Sequence, residues 1–342
     1  TAEREPAMPH SPDPLPPIEL AAPDISVHRT GNLGVDYVSS LDSGRPGPHV
    51  MLQALTHGNE LCGAIVLDEL LCAGLRPDAG RMTVVFANVQ AYQRWNPADP
   101  DLSRFVDEDY NRVWDDEVLS GPRDSVELRR ARELGGFVAR ADFLLDIHSM
   151  REPCPPMMVC GVAGQGGEKG AAMARAMGVP RHLLIDTGHP AGRRMIEHGG
   201  YSDPASKRVA VLIECGQHWE RSSVAVAREA VRRFLDVTGV LAYGRSAWTD
   251  DPSADPLPES AGQTGQAPRV VRVTHAVVAR SPSFRFAADY HGLEVIERAG
   301  EPIAYDEDEV IRAPYDNTVL VMPSKAHLKV GTTTVRLGRF ED

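Results

Sequence analysis

A histidine and a glutamate stand three residues apart, where an apolar run gives way to a helix-like segment. His57 and Glu60 belong to the sequence THGNE, which follows the run HVMLQAL and precedes ELCGAIVLDELL. In open α/β sheets, ligands bind at the edge formed by the carboxyl ends of the strands. An imidazole and a carboxylate that converge there could bind one divalent cation, such as zinc. The alternative is an Asn-Gly turn in which the glutamate only caps the helix.

A second histidine ends another apolar run. The sequence ADFLLDIHSM predicts a buried strand that finishes near His148, so this side chain can reach the same edge. Asp146 lies two residues earlier on the same face of the strand, where it could orient a zinc-binding imidazole. His57, Glu60 and His148 then form a His2Glu set, a known catalytic zinc combination with one position left open. A strand-end histidine with purely structural contacts is the alternative.

A carboxylate follows a third apolar run. Glu214 ends the strand predicted from VAVLIEC, a place where an acidic side chain needs a partner because burying a charge is costly. If Glu214 faces the metal edge, it can take a proton from the attacking water and pass it to a leaving amine. Otherwise it is an edge-strand residue that pairs with Arg208 or Arg221.

Two arginines and an amide lie in a loop-like stretch between a strand and a helix. Arg104, Asn111 and Arg112 occur in the sequence RFVDEDYNRVW. Guanidinium groups suit a site that grips carboxylates or polarises a carbonyl. The alternative is a solvated surface on which the arginines pair with the acidic residues between them.

Strands that alternate with helices must position these residues. Short apolar runs predict strands buried on both faces at residues 50–55, 82–91, 143–147, 157–162, 182–185 and 209–213. Helices are predicted at residues 60–73, 125–140, 167–177 and 222–238. This alternation indicates an α/β fold with a largely parallel or mixed sheet.

The composition is that of an ordinary folded protein. The 342 residues are 42% hydrophobic and 25% charged, with a formal net charge of -12. This balance argues against nucleic acid or an anionic membrane as the main partner, and no apolar run of about 18 residues predicts a membrane span. The start of the chain lacks the features of a secretory signal, and the five cysteines include no CxxC pair. We therefore expect a cytoplasmic protein with free thiols.

The ordered set of motifs resembles a known family. HGNE, then R-x6-NR, then a strand ending in D-x-H and a strand ending in E-x-G follow the order of the succinylglutamate desuccinylase/aspartoacylase family, part of the zinc carboxypeptidase superfamily. The resemblance covers about residues 47–240. It implies a zinc-carboxypeptidase-like mixed sheet flanked by helices, followed by a small C-terminal all-β domain.

Four parts of the chain are predicted. Residues 1–17 are polar and Pro-rich and suggest a flexible leader. Residues 18–245 would form the catalytic zinc-hydrolase domain, and residues 246–268, rich in Pro, Ser, Gly and Asp, a linker. Residues 269–342 alternate in hydrophobicity and would form the small β domain, which the resemblance places over the active site.

The resemblance also implies the roles of individual residues. His57, Glu60 and His148 would hold one zinc ion per chain. Arg104 would polarise the scissile carbonyl and stabilise the oxyanion. Glu214 would act first as general base and then as general acid.

Substrate binding is implied less completely. Asn111 and Arg112 would bind a substrate carboxylate. The family's aspartoacylases carry a further carboxylate-binding arginine upstream of the catalytic glutamate; Arg208 is the nearest candidate, but it is closer than that spacing expects, which argues against a second carboxylate on the substrate. A tyrosine from the β domain also lines the family's site. Tyr305 and Tyr315 are both candidates for this tyrosine, and we count Tyr315 among the predicted substrate-binding residues.

The predicted function is a zinc-dependent amidohydrolase that removes an acyl group from an N-acyl amino acid or a related small amide. One alternative is a zinc metallocarboxypeptidase acting on a short peptide. Another is a homologue that binds a small anion without catalysis. The acyl group and the amine stay open, as does the choice between a monomer and a homo-oligomer.

Overall fold

The computed structural model describes residues 16–241, 255–262, 266–325 and 330–341. Within these ranges the helices are α1 Leu61–Cys72, α2 Val89–Tyr92, α3 Asp116–Ser120, α4 Val126–Arg140, α5 Gly167–Met177 and α6 Arg221–Thr238. The strands are β1 Val38–Asp42, β2 His49–Ala54, β3 Arg81–Phe86, β4 Phe143–Met150, β5 Met157–Val162, β6 His182–Asp186, β7 Val209–Gln217, β8 Arg269–Val278, β9 Arg285–Phe286, β10 Glu294–Ile296, β11 Pro302–Asp306, β12 Glu309–Arg312, β13 Thr318–Val321 and β14 Thr333–Phe340.

One large mixed sheet organises the molecule. In the described part of the chain it has 11 strands in the order β1-β3-β2-β4-β7-β5-β6-β8-β14-β13-β10. Strands β3, β2, β4 and β7 run parallel to one another, whereas β1 is antiparallel to β3 and β5 is antiparallel to β7. A separate three-stranded sheet contains β12, β11 and β9. The predicted α/β fold with a β-rich C-terminal region is confirmed.

Helices cover both faces of the sheet. The apolar sides of α1, α5 and α6 pack on one face, with Leu67 and Phe234 fully buried there. The apolar side of α4 packs on the other face through Leu134 and Val138. Burial on both faces explains why the central strands are continuous apolar runs rather than alternating ones.

Most predicted elements occur within one to four residues of their expected bounds, but one strand is shorter. The strand predicted over residues 82–91 ends at Phe86. Asn88 then caps the short helix α2, because its side chain accepts a hydrogen bond from the Ala91 N–H. The turn after β3 thereby leaves the sheet at the same edge as the turn after β2.

The C-terminal strands extend the large sheet. β8 pairs in parallel with β6, and β14 pairs with β8. Residues 1–15 of the predicted leader, and residues 246–254 and 263–265 of the predicted linker 246–268, lie outside the described residues. No helix in the ranges that the structure describes is long and apolar enough to cross a membrane.

Candidate active site

Three neighbouring parallel strands bring the predicted chemistry to one edge of the sheet. β2 leads into the turn that carries His57, while β4 and β7 carry His148 and Glu214, which are register partners. This edge opens into a cavity of about 820 Å³. Seven of the nine predicted site residues line it: His57, Glu60, Arg104, Asn111, Arg112, His148 and Glu214.

The two histidines face the same carboxylate. His57 Nδ1 lies 2.7 Å from Glu60 Oε1, and His148 Nδ1 lies 3.0 Å from Glu60 Oε2. All three residues are at most 4% exposed. One ligand atom of each lies within 4.8 Å of the others, so the group has the spacing and burial of a three-residue metal site.

Two aspartates hold the other side of the imidazole rings. His57 Nε2 lies 2.9 Å from Asp109 Oδ1, and His148 Nε2 lies 2.8 Å from Asp146 Oδ2. When each Nε2–H donates to its aspartate, the Nδ1 atoms are the ones that face Glu60. A carboxylate behind each metal-binding histidine is typical of zinc sites, because it fixes the tautomer and the orientation of the ring.

This donor set fits zinc. Glu60 Oε2 is buried and accepts no hydrogen bond of good geometry from the described residues. Although burial opposes it, the charges of Asp146 and Glu60 raise the pKa of His148 well above its ordinary value. At Glu60, burial alone would raise the pKa of the carboxyl, but the charges of His148 and His57 hold this pKa well below its ordinary value. A divalent cation would replace the proton that joins these groups, and two imidazoles with one carboxylate are ligands of catalytic zinc.

Gly58 allows the segment that contains Arg104 to reach the turn that contains His57. A Cβ atom at Gly58 would lie 2.4 Å from the carbonyl oxygen of Ser103 and 2.4 Å from the backbone nitrogen of Tyr92, so a larger residue would disturb the packing of this turn against both segments. The Gly58 N–H donates to the Arg104 carbonyl oxygen at 3.1 Å. Arg104 Nη2 in turn lies 3.1 Å from Asp109 Oδ2. The arginine does pair with an acidic neighbour, but the pair lines the cavity instead of a solvated surface.

Glu214 faces the cavity, and one of its carboxylate oxygens has no hydrogen-bond partner among the described residues. Its Oε2 atom is buried and accepts no hydrogen bond within the described ranges. Burial raises the pKa of Glu214 to about 8, and the nearby charge of Glu60 adds to the rise, against the opposing effects of His148 and Arg104. A carboxyl group that titrates near neutral pH is suited to accept a proton and then return it.

Asn111 and Arg112 present donors to the cavity from the short 3-10 turn Tyr110–Arg112. Asn111 Oδ1 accepts a hydrogen bond from the Met195 N–H at 3.0 Å, so its NH2 group is left for a ligand. Arg112 Nη1 donates to the Asn111 carbonyl oxygen at 2.7 Å. Burial lowers the pKa of Arg112 to about 10, which keeps the guanidinium charged at neutral pH.

Arg208 and Tyr315 do not line the cavity. Arg208 precedes the first residue of β7, so at about 3.3 Å per residue it lies about 20 Å along the strand from Glu214. Tyr315 Oη lies 2.5 Å from Thr274 Oγ1, and its ring stacks under the guanidinium of Arg339. The structure therefore does not bring these two predicted substrate-binding residues to the site.

Other cavity-lining residues escaped the sequence-based prediction. Asp109 was expected only as a partner for surface arginines, and Arg194 and Arg336 were not singled out at all. Arg336 stands in the predicted strand VGTTTVRLG, where a charged residue among apolar ones was the available signal. His218 lies in the turn after β7, as expected, and its Nδ1 lies 2.8 Å from Ser149 Oγ.

Comparison with known proteins identifies the family. The model of the succinylglutamate desuccinylase/aspartoacylase catalytic domain matches residues 46–238. The chain belongs to this family. The family is one of deacylases, so the prediction of a hydrolytic enzyme is supported at this level. No curated protein matches the chain in sequence.

Solved structures share the fold at low sequence identity. The succinylglutamate desuccinylase of Vibrio cholerae has a TM-score of 0.64 at 16% identity, covering 91% of this chain and 88% of that chain. The succinylglutamate desuccinylase/aspartoacylase of Rhodobacter sphaeroides has a TM-score of 0.59 at 20% identity, covering 87% of each chain. The product-bound ectoine utilization protein EutE (DoeB) of Ruegeria pomeroyi has a TM-score of 0.59 at 17% identity, covering 88% of each chain.

Proposed function

We propose that this protein is a zinc-dependent amidohydrolase that removes an acyl group from an N-acyl amino acid or a related small amide with a carboxylate. Membership of a deacylase family supports hydrolysis of an amide C–N bond. The observation that carries the proposal is the buried group of His57, Glu60 and His148, with an aspartate behind each histidine. Structural neighbours named as succinylglutamate desuccinylases support a small acylated amino acid as the substrate class.

The proposed reaction uses Glu214 to move one proton. When bound at His57, Glu60 and His148, the metal would supply activation of a water molecule and polarisation of the amide carbonyl. Glu214 takes a proton from the attacking water while the new C–O bond forms at the carbonyl carbon. It returns this proton to the amide nitrogen as the C–N bond breaks, which releases a free amine and a carboxylic acid that then loses its own proton to become a carboxylate.

Arg104 is proposed to stabilise the oxyanion. Its guanidinium lies beside the metal-site residues, with Nη1 4.0 Å from Glu60 Oε1. It can donate to the carbonyl oxygen as negative charge develops there, and such a donor contributes mostly to the transition state. Asn111 and Arg112 are proposed to hold the substrate by its carboxylate, which fixes the amide between Arg104 and Glu214.

A deacylation screen tests the proposal. The zinc-reconstituted protein is incubated with N-acetyl and N-succinyl amino acids and with short peptides, and the products are identified by mass spectrometry. We expect release of free amino acids from the acylated compounds, and none with Glu214→Ala. Cleavage of peptides alone would instead identify a metallocarboxypeptidase, and stoichiometric zinc without any hydrolysis would identify a small-anion-binding homologue.

A further inference from the structure

Strand β14 contributes two polar side chains, Thr333 and Arg336, to the cavity wall. Arg336 is 8% exposed, and its buried Nε–H donates a hydrogen bond to no described residue. Its nearest acidic group is Asp186 Oδ2, at 3.6 Å. Thr333 Oγ1 is likewise buried and unpartnered in the ranges that the structure covers. Buried polar atoms normally have partners, so two unpartnered ones on one wall are available to bind a polar ligand.

A bulge explains how both side chains reach the same cavity. Residues three apart on a regular strand point to opposite faces. The register between β14 and β8 shifts between Thr333 and Val335, and an extra residue of this kind changes which face the following side chains take. Bulges of this kind are over-represented next to active sites, where they re-aim a side chain.

The charges around this wall leave one arginine without a carboxylate. Arg194 is neutralised because it donates to Asp186 at 2.9 Å and to Glu197 at 2.7 Å. Adding Arg336 to these three residues gives a group with no net charge. Arg112 has no carboxylate within 4 Å among the described residues. Asp109 is the carboxylate whose charge acts most strongly on Arg112, but it is already paired with Arg104 at 3.1 Å.

The local potential is consistent with this excess of positive charge. Burial lowers the pKa of His189, another cavity-lining residue, to about 2, and Arg112 and Arg336 contribute to the fall. Arg336 also acts on Glu214 and Arg112, since its charge lowers the pKa of both groups. The wall therefore attracts an anion close to the proposed reaction centre.

We propose that Arg336 and Thr333, together with Arg112, form a subsite for one substrate carboxylate, so that the C-terminal β region sets substrate specificity. The guanidinium groups of Arg336 and Arg112 can each donate paired N–H hydrogen bonds to a carboxylate. The hydroxyl of Thr333 adds one more donor. One excess positive charge matches one carboxylate. The site therefore prefers N-acyl amino acids with uncharged side chains over N-acyl aspartate or N-acyl glutamate as substrates. The identity of the ligand as an acylated amino acid rests on the proposed function.

Equilibrium binding tests the subsite separately from turnover. Three probes are titrated calorimetrically into the zinc-loaded Glu214→Gln protein: N-acyl-L-alanine, N-acyl-L-aspartate and N-acyl-ethylamine, which is the alanine compound without its carboxylate. The acyl group is the one that the wild-type enzyme removes fastest, or acetyl if it removes none. We expect the alanine compound to bind at least about 10-fold more tightly than either of the others.

Substitutions on β14 then assign the effect. In the same background, Arg336→Met is expected to weaken binding of the alanine compound about 10-fold or more, and Thr333→Val by a smaller factor, with no change for the ethylamine compound. Arg336→Lys keeps the charge and is expected to give an intermediate loss. Arg339→Met, on the same strand but exposed and away from the cavity, is the matched control. In the active enzyme, Arg336→Met should raise KM more than it lowers kcat.

The two proposals fail in different ways. The subsite is overturned if the alanine compound does not bind, if it binds Arg336→Met as tightly as the unsubstituted Glu214→Gln protein, or if the aspartate compound binds more tightly. Each of these results leaves the deacylase proposal standing. Binding that depends on Arg336, without hydrolysis of any acylated amine by the wild-type protein, supports the subsite and overturns the proposed function.

Discussion

His148 Nε2 lies 2.8 Å from Oδ2 of Asp146, two residues earlier on the same strand, while its Nδ1 lies 3.0 Å from Glu60. The aspartate is itself held in place, because Thr56 Oγ1 donates to its Oδ1 at 2.8 Å. One imidazole thus connects the strand β4 to the carboxylate at the start of α1. The predictions below depend on this connection and on its neighbours in the cavity.

Asp146→Asn should weaken zinc binding about 10- to 100-fold, because the amide no longer fixes the tautomer of His148 or strengthens it as a ligand. The dissociation constant is measured by competition with a chromogenic chelator. Asp142→Asn, at an exposed position just before β4, is the control and should leave the affinity unchanged. Equal affinities for both variants would show that Asp146 has only a packing role.

Zinc affinity should fall as the pH is lowered. The raised pKa of His148 means that its proton must leave before the metal can bind, so binding releases a proton. Calorimetry in buffers of different ionisation enthalpy measures this release at pH 6, 7 and 8. In Asp146→Asn the fall in zinc affinity should begin at a lower pH, because the substitution removes the aspartate charge that raises the pKa of His148. Zinc binding without proton release would contradict the assigned ligand.

The metal-free protein should lose stability as the pH rises from 5 to 8. Burial raises the pKa of Glu214 from 4.5 to about 8 in the folded chain, so the folded state holds this proton more tightly than the unfolded state. Its stabilising effect is complete below pH 4.5 and is lost progressively up to about pH 8. Thermal unfolding with chelator present measures the decline, which should be smaller in Glu214→Gln. An equal decline in both proteins would place the titrating group elsewhere.

Arg104→Met should lower kcat about 100- to 1000-fold with little change in KM, because the lost donor acts mainly on the transition state. Zinc content is measured in parallel, since the arginine also contacts Asp109. Arg81→Met, which removes an exposed arginine paired with Asp42, is the control and should retain wild-type kinetics. A rise in KM alone would assign Arg104 to substrate binding instead.

Gly58→Ala should destabilise the protein by about 1–3 kcal/mol, because the added Cβ would overlap the backbone at Ser103. It should also reduce activity, since relieving the overlap with Ser103 and with Tyr92 shifts the turn that contains His57 relative to Arg104. Denaturant unfolding measures the stability. Gly135→Ala is the control: it adds a Cβ to helix α4, where no atom lies within 4 Å, and should stabilise the helix by about 0.5–1 kcal/mol.

Local sequence patterns predict the parts of the site that sit at strand ends. His148 and Glu214 each follow a continuous apolar run, and such a run specifies a buried strand without knowledge of its neighbours. Parallel pairing of these strands then brings both residues to one edge. The cluster with His57 and Glu60 follows from the same reasoning applied to β2.

The remaining parts depend on packing that no local pattern records. Asp109 reaches His57 because a loop folds across the turn at Gly58, and Arg336 enters the cavity because β14 carries a bulge. Arg208 was chosen by sequence spacing alone, but it lies at the opposite end of β7 from Glu214. Spacing along the chain does not measure distance across a fold when an extended strand separates the two residues.

The central claim is that His57, Glu60 and His148 hold one metal ion, and anomalous scattering from crystals of the zinc-reconstituted protein tests it most directly. Data recorded on both sides of the zinc absorption edge should show one peak per chain, about 2.0–2.2 Å from ligand atoms of these three residues. The absence of a peak there, or a peak only at His28, Asp68 and Cys72, a second group with suitable spacing among the described residues, would contradict the account.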